Sequence, residues 1–470
     1  MLALFLGLLS LVNMILRVAA AVTLPLRHSP AVAMAWLLPI LLWPLPGGLV
    51  YMLFGSRLLP AERIHRYQAA SQMLRHYAPE PNTFQAQALS EAQPTLDLAT
   101  QLGDLPPLGG NKLELLPSSE LFFERLLALI EGAKTELKLL YYIADASGPA
   151  VEIFEALKRA ARRGVKVHFM ADSVGSRTWF KKEAQSLRDE GIEVTELLPV
   201  KLLRLKAQRF DLRNHRKLAI ADGSHAITGS HNLIDPTYGK KDLVWRDLSV
   251  ELWGPVVAAL QWVWLNDRFA EGGSLSAAKK LFVPEPVGRG TIQVLPSGPS
   301  FKEENFLLIT LSALYSAKKE VTITSPYFVL DDSLLQAFSV LRGRGVRVRL
   351  LLPERCDQKL PGLAAKAYYN TLLDMGVELH LHTDGLLHAK TMTIDDHLAF
   401  VGSNNFDARS FSLNFELTLA LTSPEEVALL KATQAEFLSQ CRPLTTQEWR
   451  SRSRLYAPLE GLAKLLGPLL

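Results

Sequence analysis

The chain has 470 residues, and its 51 lysines and arginines exceed its 47 acidic residues by only four charges. This length predicts two to four domains with ample chain for a large core, and so mild a charge argues against a nucleic-acid-binding protein. The two cysteines, Cys356 and Cys441, stand far apart without metal-ligand spacing, which suits a reducing compartment.

Residues 1–57 are far more apolar than the rest of the chain. Arg17 separates two uncharged runs, 1–16 and 18–26, and after a polar break residues 31–54 form another uncharged run. About 20 apolar residues suffice to cross a bilayer. A cleavable signal peptide is the alternative, but a basic n-region and a clear cleavage site are missing and a second run follows. We predict a helical hairpin in or across the membrane.

Prolines and a charge complicate this hairpin. Pro39, Pro44, Pro46 and a Gly-Gly pair should kink or break the second helix, which leaves a re-entrant hairpin open. Arg17 must snorkel or find a partner. Basic residues follow the second run closely at positions 57, 63 and 66, so the positive-inside rule places the remainder in the cytoplasm. Residues 58–112 are predicted to form a helix and a connecting segment.

From about residue 113 the chain repeats itself. Residues 133–143 echo 317–328, and residues 163–167 echo 344–348, where a glycine closes an apolar helix before a β-branched strand. Alternating strands and helices predict an α/β fold with a largely parallel or mixed sheet. The predicted units are 113–285 and 286–442. A basic, amphipathic tail, 443–470, either packs on the protein or lies in the membrane surface.

A histidine-containing motif occurs once in each unit. Both copies follow the spacing H-x-K-x(4)-D-x(6)-G-S-x-N. The copies are His215, Lys217, Asp222, Ser230 and Asn232 in the first unit, and His388, Lys390, Asp395, Ser403 and Asn405 in the second. Chance predicts roughly 0.03 matches even to the shorter H-x-K-x(4)-D pattern at typical residue frequencies. The second copy is therefore a duplication.

The motif suits chemistry on a phosphoryl group. Residues two apart on a strand face the same side, so the histidine and lysine of each copy project together. Lysine supplies charge to phosphate oxygens, while histidine can attack phosphorus or move a proton near neutral pH. The serine and asparagine add donors for the phosphate. Two facing copies allow covalent catalysis, in which one histidine attacks and the other moves protons.

Simpler interpretations of the motif fit the sequence less well. A single His-Lys pair on a strand is more often a surface pair, but two extended copies in a duplicated unit disfavour that. A lysine so close to each histidine disfavours a bound cation, so neither a metal nor another cofactor is predicted. Residues 201–217 are strongly basic, which indicates either a solvated face or contact with anionic lipid head groups.

The duplicated stretch resembles the HKD motif of the phospholipase D superfamily, whose halves meet in one active site. Further stretches are similar to the bacterial cardiolipin synthases: residues 34–38, 46–55, 211–217, 297–299, 324–328, 385–388 and 409–416. The resemblance implies an α/β fold class with two tandem phospholipase D-like units, mixed sheets flanked by helices. These would form one pseudo-two-fold active site behind an N-terminal membrane hairpin.

The resemblance also implies roles for residues. The histidine, lysine and aspartate of both motifs form the catalytic set, although the odd offset of each aspartate suggests that it braces the motif turn. The acids that orient the histidines would fall on Asp247 and Glu416, with Glu251 as the alternative to Asp247. By analogy His215 is the expected nucleophile, but symmetric motifs leave His388 open.

The implied reaction joins two phosphatidylglycerol molecules into cardiolipin and glycerol through a phosphatidyl-histidine. It implies an enzyme of the inner membrane whose partners are anionic lipids, and no nucleic-acid partner is expected. A phospholipase D-type hydrolase, a nuclease and a non-enzymatic membrane scaffold are the alternatives. The sequence leaves a homodimer and the acceptor lipid open.

Overall fold

The computed structural model describes residues 1–28, 30–55, 59–77, 91–103, 105–200, 211–240, 242–273 and 282–465. The chain divides into two compact units. The smaller unit comprises residues 1–61 and 200–212, and the larger comprises 62–199 and 213–470. Each unit has its own packing.

The smaller unit contains three apolar helices, α1 (Leu2–Arg27), α2 (Pro30–Leu42) and α3 (Pro44–Phe54). The second apolar run breaks at Trp43, with Pro39 inside α2 and Pro44 at the start of α3, as the prolines predicted. The Arg17 guanidinium donates to the Leu41 carbonyl oxygen at 3.1 Å, in the last turn of α2, where helical partners are missing. Among the described residues, only Leu4–Arg27 is long and apolar enough to cross a membrane.

The larger unit begins with two helices and the first repeat. The helices are α4 (Ala61–Tyr77), which enters this unit at Glu62, and α5 (Gln93–Gly103). The first repeat comprises β1 (Leu108–Leu116), α6 (Ser119–Gly132), β2 (Glu136–Tyr141), α7 (Ala150–Arg162), β3 (Lys166–Asp172), α8 (Arg177–Lys182), α9 (Ala184–Asp189), β4 (Glu193–Leu197), β5 (Leu218–Ala221), β6 (His225–Gly229), β7 (Trp245–Arg246), β8 (Ser249–Trp253) and α10 (Val256–Ala270).

The second repeat has the same order of core elements. It comprises β9 (Gly290–Ser297), α11 (Asn305–Ser316), β10 (Glu320–Thr324), α12 (Asp332–Gly343), β11 (Arg347–Pro353), α13 (Lys359–Asp374), β12 (Glu378–His382), β13 (Leu386–Leu387), β14 (Thr391–Ile394), β15 (Leu398–Gly402), α14 (Ala408–Ser412), β16 (Glu416–Leu421) and α15 (Pro424–Ser439). The tail adds β17 (Cys441–Leu444), α16 (Thr446–Ser451), a 3-10 turn (Arg454–Tyr456) and α17 (Ala457–Leu465).

Apart from β7 and β13, which pair with each other, the strands of both repeats form one mixed sheet. Its order is β17-β12-β11-β10-β14-β15-β16-β9-β1-β8-β6-β5-β2-β3-β4. The order reads the same outward from the β9–β1 pair, apart from the extra β17, which gives the larger unit its pseudo-two-fold arrangement. Strands β2, β3 and β4 are parallel, as are β10, β11 and β12, and the inner strands are antiparallel. The predicted α/β class with mixed sheets is confirmed, and the two sheets are continuous.

Local sequence explains the helix ends. Gly164 and Gly345 follow α7 and α12 with φ of +90° and +77°, a left-handed conformation that costs glycine little. Apolar residues from both repeats share one core, in which Val250 and Leu252 of β8 lie in the same cluster as Leu417 of β16. The shared core fixes one repeat against the other.

Candidate active site

Each motif histidine lies just before a central strand and is paired with the opposite repeat. The backbone N–H of His215, ahead of β5, donates to the Phe415 carbonyl at 2.8 Å. The N–H of His388, ahead of β14, donates to the Arg246 carbonyl at 2.8 Å, beside the small parallel pair of β7 and β13. Phe415 and Arg246 each directly precede an orienting acid, Glu416 and Asp247. Each acid is therefore brought next to the motif histidine of the other repeat.

This exchange pairs each histidine with an acid from the other repeat. The His215 Nδ1 lies 2.9 Å from Glu416 Oε2, and the His388 Nδ1 lies 2.5 Å from Asp247 Oδ1. Glu251, the alternative to Asp247, instead contacts His225 at 2.7 Å. A carboxylate at Nδ1 accepts that N–H and leaves Nε2 of the imidazole for chemistry.

The motif serines support these acids. Ser230 Oγ donates to Asp247 Oδ1 at 2.5 Å, and Ser403 Oγ donates to Glu416 Oε2 at 2.6 Å. Each serine also accepts a backbone N–H, that of Leu248 or Leu417. The expected phosphate contact does not fit either serine, because its single hydroxyl proton is already directed at a carboxylate.

The two motif lysines are fully buried. Lys217 Nζ donates to the carbonyl oxygen of His215 at 2.6 Å, and Lys390 Nζ donates to that of His388. Burial lowers the pKa of each lysine to about 7, although Glu416 and Asp247 counteract it. Each ammonium group has further N–H donors besides the one bonded to the carbonyl oxygen, so the two groups together can bind an anion.

Both histidines are held neutral near physiological pH. Burial lowers the pKa of His215 to about 4 and that of His388 to about 3, against the opposing effect of the carboxylates. Burial raises the pKa of Glu416, but His215 and Lys217 outweigh that effect and leave it below its ordinary value. A neutral imidazole with an ionised carboxylate behind it is suited to nucleophilic attack.

The motif aspartates lie at the far ends of β5 and β14. Asp222 accepts the backbone N–H groups of residues 134–136, and Asp395 accepts those of residues 318–320, at 2.7–3.0 Å. Both aspartates adopt left-handed backbone conformations, with φ of +50° and +48°. They brace the motif turn, as their offset suggested, and the expectation of a catalytic contact does not fit them.

One cavity of about 520 Å³ receives both histidines. It is lined by Tyr142, Ile143, Arg213, His215, Asn232, Tyr238, Lys240, Trp245, Tyr327, Val329, Asp357, Gln358, Pro361, His388, Asn405, Asp407, Arg409 and Asn414. Both motif asparagines therefore line it. Tyr142 packs edge-on to His215, whereas Trp245 and Tyr327 flank His388. The cavity therefore has a His215 end and a His388 end.

The basic segment before His215 is only partly described, since residues 201–210 lie outside the described residues. Arg213 is buried and donates to Asp172 at 3.1 Å, and Arg216 makes two bonds of 2.7 Å to Asp267. Contact with lipid head groups therefore does not fit Arg216, which a buried carboxylate holds, whereas Arg213 also lines the cavity. Within the described ranges, no group of three or more His, Cys, Asp or Glu residues could hold a metal ion.

The sequence comparisons identify the family. The family profile described as "Cardiolipin synthase, PLD-like domain" matches residues 126–251 and 310–439, once in each repeat. The chain belongs to the cardiolipin synthase family. It is 34% identical over 471 residues to "Cardiolipin synthase A" of Edwardsiella ictaluri (strain 93-146), covering 96% of each chain. It is also 34% identical over 461 residues to "Cardiolipin synthase A" of Escherichia coli (strain K12 / DH10B), covering 94% of each.

A solved structure supports the fold of this cardiolipin synthase family member. The chain resembles the crystal structure of phosphatidylserine synthase from Haemophilus influenzae Rd KW20 with a TM-score of 0.62 at 15% identity. That alignment covers 80% of this chain and 99% of the other. The predicted superfamily is confirmed, and the chain is a phospholipid phosphatidyltransferase of phospholipase D type. Its apolar N-terminal helix fits an inner-membrane anchor.

Several cavity residues were not predicted from the sequence. Asp407 and Arg409 line the cavity after the second motif, where the corresponding positions of the first are Ile234 and Pro236. Burial raises the pKa of Asp407 to about 6. Their presence in one copy alone was the available signal. Comparing the two copies for differences, as well as for matches, could have found them.

Proposed function

We propose that this chain joins two phosphatidylglycerol molecules into cardiolipin and glycerol through a phosphatidyl-histidine intermediate. The observation that carries the proposal is the pair of histidines in one cavity, each held at Nδ1 by an acid from the other repeat. Membership of the cardiolipin synthase family supports the same reaction.

In the first half-reaction, His215 Nε2 attacks the phosphorus of one phosphatidylglycerol. The P–O bond to the glycerol head group breaks, and His388 Nε2 gives its proton to the departing oxygen. The bound phosphodiester, an anion, raises the low pKa of His388, which lets that imidazole carry the proton. Lys217 and Lys390 stabilise the negative charge on the phosphoryl oxygens.

In the second half-reaction, neutral His388 takes the proton from the terminal hydroxyl of a second phosphatidylglycerol. The hydroxyl oxygen attacks phosphorus, the P–N bond to His215 breaks, and cardiolipin leaves. His215 returns to its neutral form and His388 keeps the proton for the next cycle. Each histidine therefore has one task, although the two motifs are alike.

Unpartnered amide oxygens in the cavity support a glycerol head group. Among the described residues, Asn405 Oδ1 and Asn414 Oδ1 are buried without a hydrogen-bond partner, and both residues line the cavity. An amide carbonyl oxygen accepts hydrogen bonds from hydroxyl groups, and the glycerol head group of phosphatidylglycerol carries two hydroxyl groups. These oxygens can orient the leaving glycerol or the incoming lipid alcohol.

The proposed setting is the inner membrane. The smaller unit would anchor the chain, and basic residues after its last helix favour a cytoplasmic catalytic unit. The phospholipid substrates would enter from the same bilayer. No nucleic acid takes part in the proposed reaction.

The purified full chain, incubated with phosphatidylglycerol, tests the proposal. We expect cardiolipin and glycerol in equal amounts. Phosphatidic acid without cardiolipin would instead identify a hydrolase. Unchanged cardiolipin content in cells carrying His215→Ala would point to a protein without this chemistry.

A further inference from the structure

The proposed reaction requires two anion-binding positions, and the acceptor site described here rests on that reaction. The reacting phosphorus lies at the two histidines. The acceptor phospholipid carries a second phosphate, which is separated from the attacking oxygen by a single glycerol unit. The site must therefore hold another anion close to the central cavity, together with the diacylglycerol part of the second lipid.

A second cavity adjoins the first. It has a volume of about 470 Å³, within the range of ligand sites, and lies beside the start of α13. Gln358 lines both cavities, and the consecutive residues Pro361 and Gly362 line the first and the second, respectively. A ligand that extends past Gln358 would thus occupy both cavities.

The second cavity has the character of a phospholipid site. Three cationic side chains line it, Arg355, Lys359 and Lys366, against one carboxylate, so positive charge predominates in the lining. That carboxylate, Glu354, is bonded to Arg442 at 2.7 Å. The apolar remainder includes Phe328, Leu352, Leu363 and Tyr369. Cations beside apolar surface match a phosphate attached to a diacylglycerol.

The boundary between the cavities lies at the His388 end. Gln358 Nε2 donates to the Tyr327 hydroxyl at 3.1 Å, and that hydroxyl donates to Asp357 at 2.7 Å. The Tyr327 ring lies 6.5 Å from the His388 imidazole, centroid to centroid. Lys240, which lies between β6 and β7, donates to the Asp357 carbonyl oxygen at 3.1 Å and helps hold this boundary.

We propose that the second cavity binds the phosphodiester of the acceptor phospholipid, with Lys359 and Lys366 as its cationic contacts. The acceptor hydroxyl then enters past Gln358 beside His388. In-line displacement at phosphorus places the entering oxygen opposite the breaking bond. His388 is therefore the base for the acceptor, and His215 carries the phosphatidyl group.

Two acceptors that differ in their phosphate test this assignment. Phosphatidylglycerol carries a phosphate, whereas free glycerol does not, yet both take the phosphatidyl group from the same intermediate. In the full chain with Lys359→Gln and Lys366→Gln, we expect cardiolipin formation to fall about 10- to 100-fold, because each lost charge-assisted contact lowers it by up to about tenfold and the variant loses two. Exchange of labelled glycerol into phosphatidylglycerol should stay within about twofold of the unchanged chain.

Matched variants control for charge and folding. Lys181→Gln with Lys182→Gln removes the same charge from exposed positions on α8 and should alter neither rate. Lys359→Arg with Lys366→Arg should restore cardiolipin formation. If the double glutamine variant does not fold, each single variant is compared in the same way.

The outcomes separate this proposal from the proposed reaction. Equal loss of both rates, or unchanged cardiolipin formation, would overturn the acceptor site while leaving the reaction intact. An unaltered chain that forms no cardiolipin and exchanges no glycerol would contradict the reaction itself.

Discussion

Replacing Asp247 with asparagine should remove most of the activity by acting on the histidine of the other repeat. Asp247 Oδ1 accepts hydrogen bonds from His388 and from Ser230, both at 2.5 Å. Asparagine keeps the shape but removes the charge, and its amide N–H₂ can face Nδ1. The imidazole proton would then move to Nε2, the atom needed to accept a proton from the acceptor hydroxyl.

The expected loss is large because two effects combine. A buried hydrogen bond to a charged group contributes about 1.5–3 kcal/mol, and the wrong imidazole tautomer adds to that loss. In catalytic triads, the same replacement lowers kcat by about 10⁴-fold, or about 5.4 kcal/mol. We expect a decrease of about 10³- to 10⁴-fold for Asp247→Asn on this basis.

The assay measures cardiolipin formation together with the NMR signals of the histidine rings. Asp247→Asn should shift the His388 ring signals and leave those of His215 nearly unchanged. Glu251→Gln is the control, because Glu251 is equally buried in the same repeat but contacts His225. Equal activity losses in both variants, or a shift at His215 instead of His388, would refute the exchanged pairing.

Three further predictions concern the serines, the lysines and the aspartates. Ser403→Ala should lower kcat about tenfold, the equivalent of one hydrogen bond, and leave KM unchanged, because the hydroxyl supports Glu416. A raised KM with normal kcat would instead indicate that the serine binds the phosphate. Because burial lowers the pKa of both motif lysines to about 7, kcat/KM should fall as the pH rises above 7 and the ammonium groups lose their charge; a flat profile to high pH would contradict this. Asp395→Ala should reduce the free energy of unfolding by about 2–4 kcal/mol, because three backbone N–H groups lose a charged acceptor. The folded variant should keep its specific activity, and calorimetry and activity assays on the same sample compare the change in stability with the change in activity.

Much of the larger unit could be predicted from short-range sequence signals. Gly164 and Gly345 follow apolar helices and precede β-branched strands, and each closes its helix at the expected point. The apolar residues that follow each motif lysine predicted the central strands β5 and β14, although the histidine and lysine themselves lie just before these strands. Such patterns are local, because helix capping and strand alternation depend on neighbouring residues.

The exchange between repeats was beyond the sequence. His215 and Glu416 lie 201 positions apart, and His388 and Asp247 lie 141 positions apart. Spacing within one copy cannot reveal which acid meets which histidine, since the answer depends on how the two repeats pack. The serines raise a related difficulty: a hydroxyl suits a phosphate, but in the structure each hydroxyl donates to a carboxylate that the sequence did not pair with it.

The second apolar run shows where composition is insufficient. Its 24 uncharged residues exceed the length needed to cross a bilayer, yet the structure divides them at Trp43 into two short helices. The prolines signalled that break, whereas hydropathy alone did not.

Trapping the intermediate tests the central claim, that one composite site forms a phosphatidyl-histidine, most directly. The full chain carrying His388→Ala is incubated with phosphatidylglycerol labelled in its acyl chains, and the modified peptide is located by mass spectrometry. We predict label on His215, with little or none in the His215→Ala variant. This prediction would be contradicted if only the His215→Ala variant became labelled, on His388. Cardiolipin formation without label on either histidine would contradict it as well.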